Sequence, residues 1–232
     1  MIVLAIVACS LLVSGCVFIK IKDTGSLTKE SVKGNGIITE KTFEVGDFSR
    51  VELSVPADVT YTLSDTPSVL VRVDENLMEK ITVSEENGLL TVKPTEKSFR
   101  NFKKLEIRLS SSSLASLQCD GAVDFNCAGP VRSETFSLEC NGAADVEMEN
   151  LDAKTVSFVV NGAGDIDVSL ADADQVSLKI SGAGDANLSG KTREVQVEVN
   201  GAGDVDLSRL DYENLVKKVN GMGSVKTAKS RI

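Results

Sequence analysis

The stretch NGAGDIDVSL, residues 161–170, joins a tight turn to an alternating strand pattern, and this combination recurs along the chain. The turn returns as DGAVD (120–124), NGAAD (141–145), SGAGD (181–185), NGAGD (200–204) and NGMGS (220–224). The first glycines of these copies follow one another at an almost constant interval: Gly121, Gly142, Gly162, Gly182, Gly201 and Gly221. An even interval of about 20 residues indicates a repeat architecture in which each copy is one structural unit.

Apolar and polar residues alternate after each turn, as they do in half-buried strands. Equivalent positions match between repeats, and one apolar column contains Val146, Ile166, Ala186 and Val205. An antiparallel meander with Asn-Gly hairpins would fit this pattern. A β-solenoid explains more, because coils stacked about 4.8 Å apart place equivalent side chains over one another. A meander would not require the period to stay constant.

We therefore predict an all-β fold, a right-handed parallel β-helix with coils of about 20 residues; the handedness follows that of parallel crossovers. Residues 119–232 form the regular solenoid. Residues 36–118 form a less regular N-terminal β region with the first coils, in which VPADV (55–59) stands where NGAAD stands later. Lysines and arginine cluster near the C-terminus, where they discourage end-to-end addition of a second copy: Lys217, Lys218, Lys226, Lys229 and Arg231.

The first residues predict export and anchoring in a bacterial envelope. Residues 1–15 contain an apolar run that is too short to span a bilayer. The ending LLVSGC resembles a lipobox, which implies a lipoprotein signal peptide, lipidation of Cys16 and a tether over residues 16–35. No Lys or Arg precedes the run, and an ordinary signal peptide with an incidental cysteine is the alternative. We expect a membrane-anchored lipoprotein, at the outer membrane on its periplasmic or surface side.

Composition excludes several functions. The formal charge of −9 argues against nucleic acid as a partner, because neutralising phosphates requires Lys and Arg. Histidine is absent, which removes triads and metal sites that depend on it. GAGDANLSGKT (182–192) fails as a phosphate loop, since its glycine spacing is wrong and a strand pattern follows it. We assign no cofactor, no metal ligands and no catalytic residues.

Three cysteines fall in predicted interior columns, where a small hydrophobe is a sufficient explanation for them. Cys119 and Cys140 would be neighbours on adjacent coils, at a separation compatible in principle with a disulfide. In-register parallel neighbours rarely satisfy the torsion that a disulfide needs, so we predict buried free thiols at these positions and at Cys127.

Carboxylates form two predicted columns on one outward face. The candidate ligand- or cation-facing residues are Asp145, Asp165, Asp167, Asp185, Asp204 and Asp206. Stacked carboxylates in water repel by roughly 1 kcal/mol per pair, so splayed rotamers, bonds to turn N–H groups, raised pKa values or a cation should moderate the repulsion. The simplest interpretation is that each Asp caps a corner; weak divalent-ion binding and a carbohydrate-facing role are alternatives. The calcium motif of repeat-in-toxin proteins does not fit.

Catalysis by clustered aspartates, as in a carbohydrate-active β-helix enzyme, is a further alternative. Such a site needs a groove and one carboxyl group in a protected setting. The repeats have short turns and nearly identical surroundings for every Asp, so we predict that the protein is not an enzyme.

The repeated NGAGD, together with KGNGIITE (33–40), FSRVELSVPADVTYTL (48–63) and VDENLMEKI (73–81), resembles the head GIN domain family of autotransporter adhesins. The resemblance covers about residues 32–225 and implies a β-helical, often lipid-anchored exported protein, with no catalytic residues to carry over. We predict an adhesin-like binding or scaffold module that contacts glycans or envelope proteins; a passive structural component of the envelope is the alternative.

Overall fold

The computed structural model of the protein describes residues 32–95, 99, 100, 102 and 104–228. They form one short helix, α1 (Glu75–Met78), and a series of strands. The strands are β1 (Val32–Lys33), β2 (Ile38–Phe43), β3 (Arg50–Leu53), β4 (Ala57–Leu63), β5 (Ser68–Asp74), β6 (Ile81–Glu86), β7 (Leu89–Pro94), β8 (Phe99–Arg100), β9 (Glu106–Ser111), β10 (Ser116–Cys119), β11 (Ala122–Cys140), β12 (Ala143–Val160), β13 (Ala163–Ile180), β14 (Ala186–Val199), β15 (Val205–Val219) and β16 (Val225–Thr227).

Strands β11 to β15 are successive coils of a solenoid, and each pairs in parallel with the next. Val168 lies beside Leu188, and Val160 lies beside Ile180. The predicted apolar columns are therefore continuous across the coils. The prediction of a parallel β-helix, with one sequence repeat in each coil, is confirmed.

Each coil bends within one long strand, so that its first and second halves lie in two sheets. In β13 the exposed pairs 171–172 and 174–175 flank the buried Ala173, which marks the bend. Alternate residues on either side of the bend point inward and are almost completely buried. The two halves of the coils β11 to β14 thus enclose a single core of apolar side chains, as expected for stacked repeats.

Glycine is required at the start of each turn because the coils approach closely there. A Cβ on Gly182 would lie far inside van der Waals contact with the carbonyl oxygen of Gly162. The backbone of Ala183 continues the stack by donating to the Gly162 carbonyl at 2.9 Å. The repeated glycine therefore allows the turn backbones to lie one over another.

The N-terminal region extends both sheets and then ends them with antiparallel strands. Strand β4 pairs in parallel with β11, and Asp58 lies beside Asp124, so VPADV occupies the predicted place of a degenerate repeat. One sheet continues through β10, β3, β7 and β6, and the other through β4, β9, β5 and β2. The outermost pairs, β6 with β7 and β2 with β5, are antiparallel.

The predicted tether and signal peptide fall mostly outside the described residues. Residues 32–35, the last four of the predicted tether, contact the domain. Val32 and Lys33 pair with β8, and the side chain of Asn76 bonds the Lys33 carbonyl at 2.8 Å and the Asn35 N–H at 2.9 Å.

All three predicted interior cysteines are buried free thiols. Cys119 lies beside Cys140 in the parallel register. A hydrogen bond to Cys140, together with burial, raises the pKa of the Cys119 thiol. Both side chains are completely buried, so the pair packs inside the core as small hydrophobic groups.

Candidate functional site

The outer face formed by the first halves of the coils carries the predicted carboxylates, because strand alternation turns every second residue of these strands to the surface. We define the first acidic column as Asp58, Asp124, Asp145, Asp165, Asp185 and Asp204. The β ladders pair its first four members directly. Its last members are linked by hydrogen bonds between coils.

The second acidic column lies beside the first and contains Asn126, Glu147, Asp167, Asn187 and Asp206. Its charges have partners. Arg209 lies 3.9 Å from Asp167, and Lys226 lies 2.7 Å from Asp206. The hydrogen bond from Lys226, with others from Ser208, holds the pKa of Asp206 well below its usual range.

The C-terminal part of the first acidic column caps the backbone of the neighbouring coil. The Asp165 carboxylate accepts the Asp185 N–H at 2.9 Å, and Asp185 accepts the Asp204 N–H at 2.8 Å. Asp204 accepts both the N–H and the hydroxyl of Ser224. Of the moderating effects considered from the sequence, bonds to turn N–H groups are the ones that operate here.

The other end of the column is different. Among the described residues, Asp124 and Asp145 make no side-chain hydrogen bond or ion pair, although both are exposed. Asp58 forms an ion pair with Lys104. Asp58 lies in the degenerate repeat VPADV, but neither its place in the column nor its pairing with Lys104 was predicted from the sequence.

Two shallow depressions run along the unpaired carboxylates. The first, of about 630 Å³, has a floor of alanines and is bordered by the column from Asp58 to Asp165; its exposed alanines are Ala122, Ala143, Ala163 and Ala183. Phe102 and Lys104 line the end that adjoins the N-terminal region. The second depression, of about 590 Å³, lies between the two acidic columns.

The remaining predicted site lies elsewhere in the chain. Cys16, the predicted lipidation site, is outside the described residues. Across the residues that the structure describes, no group of three or more Asp, Glu or Cys side chains is arranged to hold a metal ion. In the same part of the chain, no helix has the length and hydropathy that crossing a bilayer requires.

Solved structures share this fold. The chain aligns with a "putative adhesin" of Bacteroides fragilis at a TM-score of 0.65 and 15% identity, over 85% of this chain and 100% of that one. A "putative adhesin" of Parabacteroides distasonis aligns at 0.56 and 20% identity, over 85% and 100%. A "putative lipid binding protein" of the same organism aligns at 0.57 and 20%, over 86% and 100%. At these identities the likeness concerns the fold alone.

Comparison with curated proteins returns no match. A family model described as "Putative auto-transporter adhesin, head GIN domain" matches residues 47–169 and 158–231. These two segments cover most of the chain and include every coil of the solenoid. The chain therefore belongs to the family of the auto-transporter adhesin head GIN domain.

Proposed function

We propose that this protein is a lipid-anchored, non-enzymatic adhesin of the bacterial envelope that binds an extended glycan along its first acidic column. The observation that carries the proposal is the alanine-floored depression beside Asp124 and Asp145, whose carboxylates have no partner within the described residues. Membership of the adhesin family supports a binding role. The predicted lipidation of Cys16 supports attachment to a membrane.

The chemistry of the depression suits a sugar chain better than a protein surface. Alanine methyl groups form a flat apolar strip that the C–H face of a sugar ring can cover, and the carboxylates beside them accept hydrogen bonds from its hydroxyls. These acceptors repeat at the coil spacing of about 4.8 Å, so successive sugars would find equivalent contacts. Each contact is weak, and affinity would come from several of them together.

An open face supports binding rather than hydrolysis. Asp124 and Asp145 are both exposed, and neither makes a side-chain hydrogen bond or ion pair with a described residue. A glycosidase needs two carboxyl groups in different environments, one of them protected from water.

The test is a glycan array probed with the full chain carrying Cys16→Ser, which can be purified without lipid. We expect binding to extended polysaccharides, and an affinity for them that is at least tenfold lower in the double variant Asp124→Asn/Asp145→Asn. The control is Glu134→Gln/Asp172→Asn, which removes two exposed charges away from the column. The absence of binding across the array, or equal losses of affinity in both double variants, would contradict the proposal.

A further inference from the structure

The C-terminal end of the solenoid is half covered. Strand β16 pairs with Val205, Asp206 and Leu207 in the first half of β15. The second half of β15 pairs with β14 on one side. On its other side, no strand lies among the residues that the structure describes. Among the described residues, the second half of β15 therefore has an unpaired outer edge, Asn214–Val219, which we call the open edge.

This edge exposes side chains that are apolar or that belong to core columns. Val216 is 63% exposed, and Val219 is 41% exposed. One coil earlier, Val199 occupies the column of Val219 and is completely buried. Met222, in the adjoining turn, is 82% exposed. A further strand over this edge would bury Val219 as the preceding coils bury Val199.

The backbone of the edge is ready to accept such a strand. In a parallel ladder, residues bond alternately to the two neighbouring strands. The N–H of Asn220 donates to the Val199 carbonyl at 2.8 Å, so the even-numbered residues before it face β14. The N–H and C=O groups of Leu215, Lys217 and Val219 therefore point toward the open edge, where an extended segment can bond them.

The charge at the edge indicates which segment fits. Lys217 lies in a column that holds Phe158, Leu178 and Val197 in earlier coils. Lys218 is paired with Glu198, and Lys226 is paired with Asp206. Lys217 makes no ion pair with any described residue. An acidic residue opposite Lys217 would supply the missing partner.

We propose that the open edge binds an extended, acidic segment of a partner protein as an added β-strand. The segment places Asp or Glu opposite Lys217, and apolar side chains opposite Leu215 and Val219. A second copy of this chain is a poorer occupant, because pairing two identical ends brings Lys217, Lys218 and Lys226 close to their own equivalents. The added strand completes the last coil beside β16.

Residues 192–201 provide a matched probe, because Thr192 and residues 194–199 already form a ladder with the opposite side of this edge. The acidic probe is a peptide of this sequence with Val197→Glu, and its counterpart carries Val197→Lys. In the full chain, we expect the acidic peptide to slow amide exchange at Leu215, Lys217 and Val219. Amides of Val216 and Lys218, which already face β14, should change little.

Charge reversal separates strand addition from non-specific contact. We expect the acidic peptide to bind about tenfold more tightly than the lysine peptide. The variant Lys217→Glu should reverse this order, whereas Lys154→Glu, the same change at an exposed position in β12, should preserve it. The proposal is overturned if the amides of Leu215, Lys217 and Val219 stay unprotected, or if Lys217→Glu does not reverse the order of the two peptide affinities. Protection that rises with protein concentration without peptide would also overturn it, since it would identify a second copy as the occupant.

Discussion

At the scale of single residues, the first acidic column contains aspartates that occupy the same position of the repeat and have different roles in the structure. Asp165 accepts the N–H of Asp185 from the next coil. Asp145 has no such bond within the described residues. The difference arises because β12 and β13 pair regularly through their turns. Strand β14 begins only at Ala186, so the Asp185 N–H lies outside the strand and donates to the Asp165 carboxylate instead.

This difference predicts unequal effects of the same substitution. Asp165→Ala removes an acceptor from the Asp185 N–H, and we expect a loss of about 1 kcal/mol in the free energy of unfolding, as for a helix cap. Asp145→Ala removes only charge and should change stability by less than about 0.5 kcal/mol. Urea denaturation of both variants measures the two effects. Equal losses would show that the hydrogen bond contributes nothing.

The turn glycines give a second prediction at this scale. Gly182→Ala places a methyl group against the Gly162 carbonyl, so the two coils must separate locally. We expect the free energy of unfolding to fall by about 3 kcal/mol, which is at the upper end for an overpacked site. Gly129→Ala is the control, because its Cβ would meet no atom within 4 Å. Chemical denaturation compares the variants, and similar stabilities would contradict the close approach of the turns.

The identities of the column residues were predictable from the repeat, and their partners were not. Alternation and period place Asp145 and Asp165 on one face without knowledge of the structure. The Lys104 contact with Asp58 joins segments that no repeat relates, and it depends on how the chain crosses between β7 and β9. The pattern of capping depends on where each ladder begins, which the repeat period does not specify.

At the scale of elements, β16 is a strand of three residues held at one edge of the solenoid. Besides its ladder with β15, it is fixed by the ion pair between Lys226 and Asp206. Lys217 stands in an otherwise apolar column and is exposed, because no strand lies beside it on its C-terminal side among the described residues.

The Asp206 contact predicts a dependence on pH. Lys226 and Ser208 lower the pKa of Asp206 in the folded protein, so its stabilising effect is complete above the ordinary carboxyl pKa of about 3.9. As the pH falls below that value toward the lower folded pKa, the effect is progressively lost. Asp206→Asn should therefore speed amide exchange in β16 at pH 7, and its difference from the natural chain should shrink as acid is added.

Lys226→Met provides the control for this interpretation, because it removes the largest cause of the pKa shift. In a chain that already carries Lys226→Met, we expect Asp206→Asn to have little further effect on amide exchange at pH 7. An effect of unchanged size in that background would assign the role of Asp206 to another contact.

At the scale of the whole molecule, the regular coils were predictable and the N-terminal region was only partly so. The period alone gives the parallel register of β11 to β15, since each apolar column must remain in the core. The strands β2, β5 and β6 belong to antiparallel pairs with no counterpart in the repeat. Their order is set by long-range pairing, which local alternation does not reveal.

The proposed anchoring concerns the whole molecule and gives the last prediction. Cys16→Ser should release the protein from membranes, because lipid chains on Cys16 would supply the attachment. Cys9→Ser, within the apolar run of the predicted signal peptide, should leave membrane association unchanged. Fractionation of cells that express each variant is the measurement. Continued membrane association of Cys16→Ser would rule out Cys16 as the anchor.

The direct stacking of one turn on the next has a genetic consequence. A deletion or duplication that runs from any point in one repeat to the same point in its neighbour removes or adds one whole coil and keeps every column aligned. The protein's length can therefore change in steps of one coil during evolution, while both of its ends stay the same.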